Sequence, residues 1–375
     1  MSRLKKLGNK KWQIILELGR DRNGKKIRKY KTVNVGQSEA KEIMIRWEAD
    51  LLDKPHLSNN ITLEKHLNEW FDSHSKNIKP LTRESYRQQL DNHLILNLGD
   101  IKLSDLNAKV IDDYYDYKLK EGRADGTGGL STRSVRYLHS ILHKALKTAL
   151  EWDRLIANPA DKVHPPKKKD KKANFYVKKE IKKIYDTIDS GFYKDFFEIT
   201  FRTGMRRGQV LGLQWSSCID QINNSIVIKQ NLQRLDEDGF ILQDTTKNNK
   251  VYSIPITKKI QKIFDRVKER QEKHKNILED EYKNDDFIFC NDDGSPKDPD
   301  GVTTGINRYI KKAGFEGTLH DLRHSFASNQ IQIGTDIKVI QELLGHKSMQ
   351  TTSDIYTHVP KEIKKDVMNK FDEIL

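Results

Sequence analysis

Cysteine is almost missing from this chain. Cys218 and Cys290 are the two in 375 residues. They cannot build a disulfide framework, and they lack the close spacing of a structural zinc site. A reducing interior is the natural compartment. Long apolar runs are missing too. No stretch approaches the ~20 residues that span a bilayer, and Met1 to Trp12 has no apolar core of a secretion signal, so neither a membrane span nor export is expected. No G-x-x-x-x-G-K-[ST] run occurs, which argues against a phosphate-cradling loop and an ATP-driven motor. Acid is the scarcer charge: 54 Asp and Glu stand against 68 Lys and Arg, for a net charge of +14. That surplus favours a polyanionic partner, nucleic acid first. A basic membrane-surface protein and an RNA-binding protein are the rivals that composition alone allows.

What is present sorts along the chain. Residues 3–35 alternate as strands do, with Trp12, Ile14, Leu16 and Leu18 in phase and Ile15 out of it. Asp21-Arg22-Asn23-Gly24 supplies a hairpin turn. The returning strand carries Lys25, Lys26, Arg28, Lys29 and Lys31 around Tyr30. Such a strand can enter a DNA groove or lie along phosphates, or be a solvated edge guarded by lysines. Ser38 can cap a helix running to about Lys54, which closes a first domain over residues 1–55.

Residues 61–158 read as a helical domain. Helices are expected to open at Thr62, Thr82, Asn107 and Ser131, the last with Val135, Leu138, Leu142, Ala145 and Ala149 as its apolar stripe. Arg83, Arg87, Arg133 and Arg136 decorate outer faces, where they grip DNA or are simply solvated. Pro159, Pro165, Pro166 and the run Lys167–Lys172 break all periodicity, so 159–174 is expected to be a basic linker. Residues 175–375 form the largest unit. Helices are expected over 177–188, 193–213 (with a break at Gly204), 257–276 and 301–313. Short strands are expected at Ser225–Lys229, Phe240–Asp244 and Val251–Pro255, with Thr245–Asn249 as a polar hairpin tip between the last two.

One stretch concentrates chemistry. Residues 318–358 hold His320-x-x-Arg323, Leu344-Gly345-His346 and Tyr356. Helical spacing of Leu319, Leu322 and Phe326 puts His320 and Arg323 on one helix face. Two imidazoles, a guanidinium and a phenol suit an anionic, phosphate-like transition state; a helical core with satisfied polar groups is the bland alternative. Far upstream, Thr203-Gly204-Met205-Arg206-Arg207-Gly208-Gln209 places Arg206 at the start of a helix.

Taken together, the Arg206 segment, His320-x-x-Arg323, Leu344-Gly345-His346 and Ile355-Tyr356-Thr357-His358 resemble the tyrosine recombinases of phage and conjugative-transposon integrase type. The resemblance covers the whole catalytic unit in order and spacing. It implies a multidomain, mainly α protein with small β-sheets: an N-terminal three-stranded sheet plus helix for arm sites, a helical core-binding domain, and a mixed α/β catalytic domain. It further implies that Tyr356 is the nucleophile, that Arg206 and Arg323 hold the scissile phosphate, and that His320 and His346 serve proton transfer and phosphate contact. Lys247 fits the hairpin lysine that protonates the leaving 5′-oxygen. His358 is not expected to react, and His324 is read as a buried structural ring. Gln209 departs from the family, which has an acid there; Arg206 is expected to lose a charge-assisted partner.

The implied reaction is cleavage and rejoining of DNA through a 3′-phosphotyrosine, with strand exchange through a four-way junction. Such a protein works on double-stranded DNA as a homotetramer, with or without a directionality factor, in the bacterial cytoplasm, to integrate or excise a mobile element. No cofactor or metal is implied, because the arginines supply the positive charge and no two-metal acid cluster accompanies the motifs. The terminal segment 361–375, with Ile363, Val367, Met368, Phe371 and Leu375 at helical spacing, is expected to dock on a neighbouring protomer or pack on its own domain. A type IB topoisomerase and a catalytically inactive DNA-binding regulator on the same fold are the alternatives.

Overall fold

The computed structural model describes residues 2–20, 26–52, 61–123, 126–167, 175–244, 251–283 and 285–346. The chain forms two compact units, Met1–Asp170 and Lys171–Leu375.

The first unit begins with an antiparallel sheet of order β1-β2-β3, made of β1 (Arg3–Gly8), β2 (Lys11–Arg20) and β3 (Lys26–Val33), followed by α1 (Gln37–Leu52). The register pairs Ile14 with Leu4 and Lys31, and Ile15 with Arg3 and Tyr30. Lys31 Nζ stands 5.6 Å from the centre of the Trp47 ring on α1. Alternation therefore puts Lys29 and Lys31 on the helix side of the sheet, and Arg28 and Tyr30 on the other. The basic strand does not present one charged face. Arg28 also meets Glu17 at 3.8 Å, and Lys25 lies outside the described residues.

Four principal helices follow in the same unit: α2 (Leu63–Ser75), α3 (Pro80–Gln89), α5 (Ala108–Glu121) and α6 (Thr132–Glu151). A π-helical segment, Leu90–Ile95, joins α3 to the short α4 (Leu96–Leu98). Three of the expected caps hold. Thr62 Oγ1 accepts from Lys65 N, Asn107 Oδ1 from Lys109 N and Val110 N, and Ser131 Oγ from Ser134 N. The fourth does not: α3 starts at Pro80, whose fixed φ suits the first helical turn, two residues before Thr82. The stripe on α6 is buried as expected, against Leu63, Leu67, Trp70, Leu90 and Leu94. Packing continues past Pro159. Residues 159–162 form a 3-10 turn, and Ala160 and Val163 enter the same core. Asn158 Nδ2 donates to His143 O at 3.1 Å, so the start of the expected linker is a packed turn, while its residues 168–174 lie outside the described residues. Arg133 and Arg83 are exposed, and Arg136 Nη1 donates to Pro166 O at 2.9 Å. Arg87 is engaged within its own unit, donating to Asp91 and Asn68 and stacking over Phe71.

The second unit is built on α7 (Lys178–Thr187), α8 (Gly191–Thr203), α9 (Arg207–Leu211), α10 (Trp215–Cys218), α11 (Lys258–Leu278), α12 (Pro299–Lys312), α13 (Leu319–Gln332) and α14 (Ile337–Leu344). Its core gathers Phe196, Phe197, Val210, Ile226, Ile263, Phe289, Ile306 and Leu322. Strands β4 (Ile219–Asp220), β5 (Ser225–Ile228) and β8 (Tyr252–Pro255) make one antiparallel sheet; β6 (Gln230–Leu235) and β7 (Gly239–Asp244) make another. Here the sequence reading is corrected. The strands flanking 245–250 do not pair with each other: β7 pairs with β6, a strand the sequence reading omitted, and β8 with β5. Gln230–Leu235 mixes polar and apolar residues without the β-branched run that marks a strand. Among the described residues no helix is long and apolar enough to cross a membrane.

Candidate active site

Three separate stretches of the second unit meet around one guanidinium. Helix α8 ends at Gly204 in the left-handed region, φ 65°. Only glycine fits there comfortably, because a Cβ would sit 2.6 Å from Phe326 Cδ1 and 2.7 Å from Leu344 Cδ2. The chain turns, and Arg206 becomes the cap residue of α9. Arg323, in the second turn of α13, reaches across. Its Nη1 donates to Gly204 O and its Nη2 to Leu344 O, both at 2.6 Å. The residue is 4% exposed. One arginine thus ties the end of α8, the body of α13 and the end of α14 together, through an arrangement that a linear ammonium cannot copy.

The opposite wall is set by Gln209 and Tyr252. Gln209 Oε1 accepts from Arg206 N at 2.9 Å and from the Tyr252 hydroxyl at 3.2 Å. Gln209 still accepts hydrogen bonds: its oxygen serves a backbone N–H and a phenol, two donors that a neutral amide oxygen can satisfy, while the Arg206 guanidinium gains no charge-assisted partner from it. The Tyr252 ring lies against Gly345, which ends α14 at φ 61°; a Cβ there would meet Tyr252 Cε1 at 2.4 Å. His346 follows at once and is held by its backbone, with N donating to Gln341 O and O accepting from Gln341 Nε2, each at 3.0 Å. His320 stands exposed in the first turn of α13, edge-on to His324 with ring centres 5.0 Å apart. His324 Nδ1 is buried and makes no hydrogen bond with a described residue.

The two tandem arginines divide the work. Arg207 is committed to the frame, donating to Thr303 Oγ1 at 2.7 Å and to Pro299 O, and pairing with Asp300. Among the described residues, neither Arg206 nor Arg323 has a carboxylate partner. The consequences appear in the titration of the pocket. Burial, then the Arg206 charge, pushes the Arg323 guanidinium down to about 10, still charged at neutral pH. Burial, then Arg323, Arg206 and the other two histidines, pushes His346 down to about 4. His320 is lowered by desolvation, then by His324, Arg323 and Arg206, with Asp321 pulling the other way. Burial raises the Tyr252 phenol although both arginines pull it the other way. Among the described residues this is a pocket of positive charge without a counter-charge, the electrostatic complement of an anion.

Of the six candidate residues, the structure brings four together: Arg206, His320, Arg323 and His346. Lys247 and Tyr356 lie outside the described residues, as do His358 and the terminal segment 361–375. Tyr252 was missed. The signal was available, since the strand phase that turns Ile254 inward turns Tyr252 inward too, and a buried phenol needs a partner for its hydroxyl.

The phage integrase family model matches residues 174–362, slightly more than half of the chain. The chain belongs to the phage integrase family. A phage integrase N-terminal SAM-like domain also matches residues 62–119 of this integrase. Among curated relatives, the ICEBs1 integrase of Bacillus subtilis (strain 168) is 28% identical, covering 99% of this chain and all of that one. A XerC-like tyrosine recombinase of Caldanaerobacter subterraneus subsp. tengcongensis is 25% identical over 98% of this chain and 97% of its own. Among solved structures, the Tn1549 transposon integrase in complex with transposon right end DNA superposes with a TM-score of 0.66 at 20% identity, over 82% of this chain and 99% of that one. A lambda integrase tetramer bound to a Holliday junction gives 0.57 at 22% identity, over 94% of each chain. These likenesses bear out the mainly α, multidomain integrase fold expected from the motifs.

Proposed function

We propose that this integrase is a site-specific DNA recombinase that cuts and rejoins DNA through a 3′-phosphotyrosine and so integrates and excises a mobile element. The observation that carries the site assignment is the buried Arg323, beside Arg206 and without a carboxylate partner among the described residues. Burying a charge without a counter-ion is costly, and an incoming phosphate removes that cost.

The roles follow from the chemistry. A phosphodiester repels nucleophiles, and charge on its non-bridging oxygens grows as the five-coordinate state forms. Arg206 and Arg323 hold those oxygens. The Tyr356 phenol, with an ordinary pKa of about 10, attacks phosphorus and gives up its proton, with His320 as the base. The bond to the 5′-oxygen breaks, and Lys247 protonates that oxygen. His346, neutral in the free protein, donates a hydrogen bond to the phosphate. Energy stays in the phosphotyrosine link, so a 5′-hydroxyl from the same or a partner duplex reverses the step without ATP. Exchange between duplexes needs four protomers around a junction, and the lambda integrase tetramer on a Holliday junction supports that assembly. Core sites are assigned to the helical domain over 61–158, arm sites to the sheet domain over 1–55, and the tail 361–375 to docking between protomers. The same reading places the protein on DNA in a bacterial cytoplasm, with a directionality factor as a further partner.

The test begins with a pool of nicked duplexes of randomised sequence, incubated with the full chain. Detergent-resistant protein–DNA adducts are isolated, the DNA is sequenced, and the modified residue is identified by mass spectrometry. A 3′-phosphate on Tyr356 is expected. No adduct, or one on another side chain, overturns the assignment.

A further inference from the structure

Tyr252 has no role in the proposed reaction, yet it meets Gln209, Gly345 and Arg323. Its hydroxyl donates to Gln209 Oε1 at 3.2 Å, and the same oxygen of Gln209 accepts from the backbone N of Arg206 at 2.9 Å. Its phenol oxygen also interacts with the Arg323 guanidinium. Its ring closes on Gly345, so tightly that a Cβ there would come within 2.4 Å. Gly345 in turn sets the direction in which the chain leaves α14 at His346. Inward phase on β8 holds the ring in place, beside Ile254 in the core.

We infer that Tyr252 is a positioning residue for phosphate cleavage: with Gln209 it forms a neutral bridge that fixes Arg206, Arg323 and His346 relative to one another. The bridge explains how the pocket works with Gln at position 209. A carboxylate there would accept the same two hydrogen bonds, but it would also offset the positive charge that an anionic transition state uses. An amide oxygen with a phenol donor holds the geometry and leaves the charge uncompensated. Tyr252 itself does not touch the reacting atoms in this account; it acts through the two arginines and His346. The inference rests on the proposal that these side chains hold the scissile phosphate.

The experiment uses the full chain and a nicked duplex recovered from its own Tyr356 adducts. Single-turnover adduct formation is measured on that duplex and on a copy whose scissile phosphate is a methylphosphonate, which lacks one charged non-bridging oxygen. Tyr252→Phe keeps the ring on Gly345 and removes the hydroxyl. It is expected to slow cleavage of the phosphate roughly tenfold to a hundredfold, the scale of one hydrogen bond to a charged network, while DNA affinity changes less than about threefold. On the methylphosphonate, where the arginines have less charge to stabilise, the gap between wild type and variant should shrink. Gln209→Leu should give the same pattern, and the double variant should lose little more than either alone; if Tyr252→Phe fails to fold, Gln209→Leu carries the substrate comparison. Equal cleavage by wild type and Tyr252→Phe overturns the inference alone, and so does a loss of equal size on both substrates. Absence of any Tyr356 adduct from the wild-type chain overturns the assignment of the site, and the inference with it.

Discussion

Replacing Arg323 by lysine separates what this residue does for the fold from what it does for phosphate. The charge is kept, but the paired donors are lost. In the native unit Nη1 and Nη2 each hold a backbone carbonyl at 2.6 Å, on Gly204 and Leu344. A lysine ammonium cannot match two acceptors set to the spacing of a guanidinium. One charge-assisted bond is lost and one buried carbonyl is stranded, which costs about 3 kcal/mol together. For a unit of this size that lowers the melting temperature by about 6–12 °C. Differential scanning calorimetry of the full chain reads this directly. At a temperature where both proteins are folded, cleavage of the nicked duplex should fall further, by about a hundredfold or more, since a donor aimed at developing negative charge is removed. An unchanged melting temperature would show that the guanidinium does not stitch α8 to α14. Unchanged cleavage in a folded protein would remove Arg323 from the phosphate site.

Tyr356→Phe should abolish covalent adducts and leave DNA binding intact, read by detergent-resistant complexes and by gel retardation; an adduct on the variant refutes the nucleophile. His346, pushed down to about 4 from an ordinary 6.5, contributes stability that is complete above pH 6.5 and is lost as pH falls from there towards 4. Hydrogen exchange of α13 and α14, corrected for its intrinsic pH dependence, should rise in that window, and His346→Gln should flatten the rise. A buried histidine in the first unit follows the same sign. His66 Nε2 donates to Ala145 O at 2.8 Å and Nδ1 accepts from Arg154 at 3.0 Å, so its ring is neutral, and burial is the main cause of its lowered pKa. Exchange on α2 and α6 should therefore also rise below pH 6.5, and His66→Gln should remove that rise; a pH-independent profile would refute the tautomer.

How much of this was legible beforehand depended on range. Caps at Thr62, Asn107 and Ser131 and the stripe on α6 follow from residues a few positions apart, and they were read correctly. Three motifs that the structure brings together, around Arg206, His320-x-x-Arg323 and His346, were legible because each is local, and the placement of His320 and Arg323 on one helix follows from i, i+3 spacing; the Tyr356 motif lies outside the described residues. Strand pairing was not local. Phe240–Asp244 and Val251–Pro255 look like two arms of a hairpin, but β5 competes for β8 through Ile226 opposite Ile254, both buried, while β6 takes β7. The partner with the better apolar face wins, and that face lies about thirty residues upstream. The partners of Gln209 were hidden for a related reason. Its type was visible, but its two donors, one of them on β8, were not.

Sequence distance also explains how the pocket tolerates its charge. Gly204, Arg323 and Leu344 are far apart in the chain, and the bonds that join them form only when α8, α13 and α14 have packed. Two backbone carbonyls, and not a carboxylate, receive the buried guanidinium. A carboxylate would hold it more strongly and would also cancel its positive field. Carbonyl dipoles orient the group while leaving its net charge in place. His346 registers that choice in part: burial first, and then the charges of Arg323 and Arg206, push it down to about 4. Under the proposed function, a phosphate held between the arginines offsets their charge, which raises the His346 pKa from its lowered value. On that proposal substrate binding and the protonation of His346 are coupled through one pair of guanidiniums, of which Arg323 is held by Gly204 O and Leu344 O.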